Sequence, residues 1–311
     1  EFAHQLEREA AKIHELFGQK PTTLWNTELL YTDEIGDAVA KLGYKAVMLE
    51  GAKHLLSWKS PNYIYQSAAA KSLKLVMRNG ALSDEMQFHF SDPNWYNFPM
   101  DAEKYANQIA GIQGEEPVVS LWMPAEAFGI RQNAGTGIFD FLKALPYYCI
   151  EREISFVTPG EAAKKFPAVD TIPVPCATTW CGEGKDLSAF NGNDLQQEAL
   201  NKLYVVAERV RMCKDIALRR DWYVLQSADH FHYMNHIEAG NTNYESAYAA
   251  FINYMNVLSD FLLRVEEQYP TTIENEELNE LLKTIYNQEK EIVALEAELK
   301  AAKKAPKPEV K

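Results

Sequence analysis

Cysteine is scarce in this chain and forms no recognisable framework. Four cysteines, Cys149, Cys176, Cys181 and Cys213, in 311 residues are too few for a disulfide scaffold, and their spacings fit no zinc pattern. Reduced thiols and a cytoplasmic setting are therefore expected, with Cys176 and Cys181 the one pair that argues otherwise. Long apolar runs are also missing: none approaches the ~20 residues that a membrane-crossing helix requires. Basic residues are outnumbered, 31 Lys and Arg against 44 Asp and Glu, for a formal net charge of −13. Such a surface repels phosphate backbones, so no nucleic-acid partner is expected, whereas a neutral ligand meets no such penalty. No internal repeat and no low-complexity linker divides the chain. It opens on Glu1 rather than methionine, and Phe2 to Phe17 already reads as a helix. The natural N-terminus is expected upstream, together with any signal peptide.

What is present is ordinary globular material, 47% hydrophobic and 24% charged, ample for a large core. Thr22 to Trp25, Lys45 to Leu49, Leu73 to Met77, Val118 to Met123 and Ile154 to Val157 read as short buried strands. Helical patterns separate them. One starts at Thr32 and Asp33 and stops at Gly43, and another starts at Ser83. A third starts at Thr158, with Pro159 at its first position and Glu161 completing a capping box. This alternation predicts an α/β fold with a parallel sheet, wound as a barrel or as a doubly wound layer. The second half turns helical, with one pattern through Leu195, Ala199, Leu203, Val206 and Val210 and another from Tyr244 to Leu258 that must end before Pro270. The last pattern, through Leu278, Leu281, Ile285, Ile292, Leu295 and Leu299, is close to heptad spacing. It fits either a terminal helix lying on its own domain or a helix that forms a homo-oligomer. Residues 305–311 read as a frayed tail.

In parallel α/β folds, functional side chains gather at the C-terminal ends of strands. Glu28, Glu50 and Glu126 each follow a predicted strand end. Trp25 lies three positions before Glu28, Trp122 four before Glu126, and Trp58 and Trp180 fall in predicted loops. Flat aromatic faces match the apolar C–H faces of sugar rings. Carboxylates beside tryptophans at strand ends thus fit a carbohydrate cleft, although each residue also has an ordinary structural reading. His232 and His236 recur at helical spacing without an acidic partner and read as structural, and Asp186 reads as a helix cap.

Several segments carry a resemblance in one order along the chain. WNTELLYTDEIG from Trp25, LEGAKHLLSWKSPNYIY from Leu49, RNGALSDEMQFHFSD from Arg78, SLWMPAEAFG from Ser120, TTWCGEGKDLSAFNGN from Thr178 and LQSADHFHYM from Leu225 resemble glycoside hydrolase family 57, in the branch containing α-amylases. The resemblance implies an incomplete (β/α)7 barrel with its N-terminal strands missing, followed by an α-helical C-terminal region. It divides the chain into a barrel part at 1–170, a helical region completing the cleft at 171–270, and a terminal helix and tail at 271–311. It implies an α-1,4-glucan or maltooligosaccharide as substrate, a retaining mechanism, and neither cofactor nor metal. In that mechanism one carboxylate attacks the sugar carbon and a second, ~5–5.5 Å away, protonates the leaving oxygen.

Glu28 matches the nucleophile position. Asp229 and His230 match the last family segment and are expected to bind substrate, as are the four tryptophans. The departures concern the acid. The family carries an aspartate two residues before the glutamate matching Glu126, and here that residue is Pro124. General acid catalysis contributes ~10²–10⁴-fold, and proline has no proton to give. Glu126 substitutes only if the strand continues, so that it shares the pleat direction of position 124. Ile130 and Arg131 also replace the Glu and His usual in α-amylase members. Three readings follow: an impaired α-glucan hydrolase, a glucan-binding pseudoenzyme, and an interaction protein that uses the terminal helix.

Overall fold

The computed structural model describes residues 2–112, 116–235, 244–268 and 273–304. The expectations for His236, Pro270 and the tail lie outside them. The chain separates into two compact units, 1–187 and 188–311. The first holds α1 (Phe2–Phe17), β1 (Thr23–Trp25), α2 (Asp33–Lys41), β2 (Ala46–Glu50), α3 (Lys53–Leu56), β3 (Ile64–Ser67), β4 (Lys74–Arg78) and α4 (Gly80–Asp84). It continues with α5 (Ala102–Ala110), α6 (Ile138–Glu151), α7 (Pro159–Lys165) and β5 (Thr171–Ile172). The second holds α8 (Ser188–Asn191), α9 (Asp194–Tyr204), α10 (Ala207–Met212), α11 (Ile216–Leu225), α12 (Ala228–His232), α13 (Ala247–Gln268) and α14 (Ile273–Lys304).

The fold of the first unit is mixed α/β. Its sheet runs β1-β2-β4-β3-β5, with β1, β2 and β4 parallel and β3 antiparallel to β4. Register sorts the side chains cleanly, because successive residues point to opposite faces. Leu24, Val47, Leu49, Leu75 and Met77 share one face and form a core with Phe2 and Leu6 of α1 and Ile35 and Val39 of α2. Trp25, Met48, Glu50, Lys74, Val76 and Arg78 share the other. That second face is covered as well. Helix α7 packs on β2 and β4 with Ala162 and Ala163 buried. A helix ends with carbonyls that have no partner within it. Here Lys74 Nζ, rising from the sheet, donates to Ala163 O at 2.6 Å and to Phe166 O at 2.8 Å. With both faces covered, the runs Ala46 to Leu49 of β2 and Leu75 to Met77 of β4 are unbroken apolar stretches, as in buried parallel strands.

The predicted strands β1, β2 and β4 form, and so do the Thr32-capped helix and the Thr158 capping box. Gly43 takes a φ of +90° just after α2, the role expected of it. Two expected strands do not form. Across Val118–Met123 the backbone is satisfied one group at a time: Val118 N–H by Asn62 O, Ser120 O by Asn79 N–H, and Trp122 N–H by Ser83 Oγ. The segment thus crosses beyond the strand ends instead of joining a ladder. In Ile154–Val157 the amide of Ile154 closes the end of α6 on Cys149 O, and Phe156 and Val157 are exposed. Nor does a helix start at Ser83. Asn79 caps α4 through Leu82 N–H, Ser83 Oγ donates back to Asn79 O, and a π-turn continues over Glu85–His89. Strands β3 and β5 went unread because both are short and flanked by loop residues. β5 pairs with β3, and Thr178 bridges Tyr31, which carries the first unit on to Leu187.

The second unit is helical throughout its described residues. Its core gathers Leu203, Trp222, Phe231, Leu258 and Phe261. The periodic stretch from Leu195 to Val210 is two helices, broken at Val205 and Val206. Gln196 is fully buried and fully used: its amide donates to Ala189 O and Phe231 O, and its oxygen accepts from Gly192 and Asn193 N–H. Within the described residues no helix is long and apolar enough to cross a membrane.

Replacing Lys74 by methionine keeps the aliphatic stem but leaves the carbonyls of Ala163 in α7 and of Phe166 just after it without this donor. A loss of ~1–2 kcal/mol is expected, read as a lower denaturation midpoint with an unchanged denaturant slope. No change would mean that α7 needs no tether.

Candidate active site

Because β1, β2 and β4 are parallel and in register, their C-terminal ends place Trp25, Glu50 and Arg78 on one face at one edge. Arg78 is the organising residue. It has no solvent exposure, and all three guanidinium nitrogens are engaged. Nη1 donates to Glu50 Oε2 at 3.0 Å, Nη2 to Asp84 Oδ1 at 2.5 Å, and Nε to the Trp122 carbonyl at 2.9 Å. Its carbon sits 5.8 Å from the Trp122 ring centroid and 5.6 Å from that of Trp180, within reach of a cation–π attraction. Burial pushes the Glu50 carboxyl above its usual range, and Arg78 and Lys185 pull it back. Gly51 makes room here, since a Cβ on it would lie 2.4 Å from the Arg78 carbonyl oxygen.

Glu28 is set by the turn after β1. Asn26 wraps that turn, accepting from Thr27 N–H and donating to Leu30 O. Glu28 and Leu29 have φ of 55° and 53°, a left-handed conformation costing ~1–2 kcal/mol for residues other than glycine. Two interactions offset that cost: Leu29 is fully buried, and Glu28 O accepts from Trp180 N–H at 3.1 Å. The partner loop is anchored next door, where Tyr31 and Thr178 exchange backbone hydrogen bonds at 3.0 and 3.1 Å. The loop is braced internally by Thr179 N–H to Lys185 O and by Lys185 Nζ to Trp180 O. Trp180 Nε1 and Cys181 Sγ both donate to Glu28 Oε2, at 2.5 and 3.2 Å. Two adjacent residues therefore hold one carboxylate oxygen.

The tryptophans form a continuous wall. Trp25 meets Trp122 edge to face at 5.2 Å, and Trp122 meets Trp180 at 5.1 Å. Trp122 and Trp180 are buried, whereas Trp25 is 54% exposed, so Trp25 is the ring with face left for a ligand.

Other predicted site residues fall elsewhere. Trp58 is 87% exposed in the turn after α3 and lies outside the ring cluster. Pro124 heads a single 3-10 turn, Ala125–Ala127, and accepts from Ala127 N–H. Because the chain turns there instead of continuing as a strand, Glu126 does not inherit the pleat direction of position 124, and it is exposed. Arg131, after it, lies over the Phe88 ring at 5.0 Å. Asp229 and His230 lie in α12 of the second unit, where His230 Nε2 meets Val224 O at 3.2 Å and its ring is 5.3 Å from Tyr254. His232 packs near Phe190. Asp186, expected as a cap, gives its carbonyl to Thr179 Oγ1. The four cysteines carry no disulfide. Among the described residues no group of three or more His, Cys, Asp or Glu side chains is placed to hold a metal. Sequence reading missed Arg78, Asp84 and Cys181. A charged residue ending the apolar run KLVMR was the available signal for Arg78.

Arg78→Met leaves Glu50 buried without its counter-charge, which typically costs ~3–5 kcal/mol. Glu50→Gln, which removes the charge but keeps an acceptor, is expected to cost less. Thermal denaturation of the two variants orders them, and the reverse order would refute the central role of Arg78.

Comparison with known proteins bears on the family and the fold. The sequence matches the family model "Glycosyl hydrolase family 57" over residues 1–175. A Methanocaldococcus jannaschii protein, provisionally named an alpha-amylase, is 30% identical over 285 residues. The match covers 86% of this chain, which spans 60% of the length of that relative. Among solved structures, the GH57-type branching enzyme from Pyrococcus horikoshii superposes with a TM-score of 0.63 at 16% identity, covering 91% of this chain and 65% of that one. The alpha-amylase AmyC from Thermotoga maritima gives a TM-score of 0.52 at 13% identity, covering 92% and 67%. At such identities the likeness concerns the fold. The family match spans more than half of the chain, and the chain belongs to glycosyl hydrolase family 57.

Proposed function

We propose that this protein binds α-1,4-glucans at the strand ends of its first unit, with hydrolysis impaired by loss of the acid. On this reading the sheet and its helices are part of a (β/α)7-type barrel, Glu28 stands at the nucleophile position of a retaining site, and the setting is cytoplasmic. The observation that carries the proposal is the Glu28 clamp. Trp180 and Cys181 occupy one oxygen of the carboxylate, which leaves Oε1 to meet a sugar hydroxyl or an anomeric carbon. Trp25 offers an exposed ring beside it for a sugar face.

Retaining chemistry needs a second carboxyl that gives a proton to the leaving oxygen. Pro124 supplies none, and Glu126 sits on an exposed turn. A lone carboxylate still accepts hydrogen bonds from hydroxyls, so binding survives the loss of cleavage. Asp229 and His230 remain proposed substrate contacts, on the family segment alone.

Calorimetry with maltoheptaose tests the binding. Measurable affinity is expected, weakened about five- to tenfold by Glu28→Gln and by Trp25→Ala, as loss of a charged hydrogen bond or an aromatic platform implies. Absence of binding in the unaltered protein overturns the proposal. Hydrolysis is expected to be slight. Robust turnover that disappears in Glu28→Gln would show that another group supplies the proton. Pro124→Asp is the converse test, with gained maltooligosaccharide hydrolysis expected if only the acid is lacking. A folded Pro124→Asp protein that binds but stays inert would extend the impairment beyond the acid.

A further inference from the structure

Helix α14 carries a surface that the sugar site does not use. Leu281, Ile285, Gln288, Ile292, Leu295 and Leu299 recur at alternating steps of four and three, the a and d positions of a heptad. Every one of these six is exposed, and the five apolar ones are between 46% and 60% open. Within its own unit the helix packs against α10, with Lys283 3.8 Å from Glu208. That anchor lies near the start of the seam and leaves the stretch from Ile285 onward uncovered.

The flanks of the seam decide what covers it. In the heptad frame Glu289 and Glu296 take e positions and Glu291 a g position, and all three are exposed. The nearby Lys290 falls at f, away from the seam. A second copy placed parallel sets Glu291 opposite Glu296 of its partner in the middle of the seam, twice per dimer, and only at the end of the helix does the frame bring an opposite pair, Glu298 with Lys303. An antiparallel copy pairs the apolar positions well, Leu281 with Leu299 and Ile285 with Leu295. It also sets Glu289 against Glu289 and Glu291 against Glu291. Like charges across a seam oppose pairing in both arrangements, while the apolar stripe still has area to bury.

We infer that α14 docks a partner helix of opposite flank charge, an amphipathic α-helix whose apolar seam is bordered by Lys or Arg. The pairing is heterotypic and independent of the glucan site. Gln288, the one polar residue in the seam, fixes its register.

The test uses the full chain and two synthetic three-heptad peptides with the same Ile/Leu seam, one flanked by lysine and the other by glutamate. Fluorescence anisotropy is expected to show binding of the lysine-flanked peptide at least about tenfold tighter than the glutamate-flanked one, as several flank pairs together would give. The preference is expected to shrink as salt rises to about 0.5 M. Replacing Ile285, Ile292 and Leu295 together by glutamine abolishes binding, with circular dichroism confirming an intact helix. The charge-reversed variant, Glu289→Lys with Glu291→Lys and Glu296→Lys, keeps the seam and inverts the preference. Equal binding of both peptides, no inversion in the reversed variant, or a stable dimer of the unaltered protein in sedimentation at neutral pH would each overturn the proposal.

Discussion

The first unit depends on a buried guanidinium. A charge removed from water must find hydrogen-bond partners and a counter-charge, or its desolvation goes unanswered. Arg78 finds three on separate segments: Glu50 ending β2, Asp84 ending α4, and the Trp122 carbonyl in the extended stretch before Pro124. It thereby joins to the sheet a segment that no ladder holds. Its charge also lies within cation–π reach of Trp122 and Trp180, and Trp180 in turn points its indole N–H at Glu28. A lysine in this place would supply a point charge without the fork or the plane, and the link from strand end to carboxylate would be lost.

The alternation of the sheet places this network where it is. One face of β1, β2 and β4 is uniformly apolar and packs against α1 and α2. The other face is zoned along its length. Lys74 tethers α7 at one end. Met48 and Val76 in the middle border a cavity of about 580 Å³. Trp25, Glu50 and Arg78 stand at the far end. A single shift of register would exchange the two faces, so the residues that make the core and those that make the site are fixed by the same pairing.

Local signals were legible in the sequence. The runs that became β1, β2 and β4, the Thr32 cap and the Thr158 box rest on neighbours a few residues apart. Val118–Met123 and Ile154–Val157 have the same apolar look, but a ladder needs a partner strand, and no short-range pattern reports one. The candidate site was legible in part for a related reason. Glu28, Trp25, Trp122 and Trp180 do assemble, whereas Trp58, chosen on the same grounds, stands in solvent. Composition near a strand end marks a region and does not say which ring turns inward. In the sequence Cys181 reads only as a thiol and not as a site residue, because its importance comes from folding, which brings it across 153 positions of sequence to Glu28.

The surroundings of Pro124 bear on what the substitution removes. The backbone is held on both sides of this residue, by Arg78 on the Trp122 carbonyl and by Ala127 N–H on the Pro124 carbonyl. Neither bond involves the amide that proline lacks. These two hydrogen bonds thus do not depend on which side chain position 124 carries, although the proline ring itself fixes φ there, at −67°. Glu28 is likewise held in its left-handed turn by Leu29, Asn26 and Trp180, none of which involves position 124. On the proposed reading, Arg78 links the two positions through Trp122 and Trp180, while the hydrogen bonds made by Glu28 itself do not involve the side chain at 124. If position 124 is the acid position, as proposed, proline there takes away a proton source while leaving the hydrogen bonds to Glu28 whole, and such a site would lose cleavage and still bind a sugar.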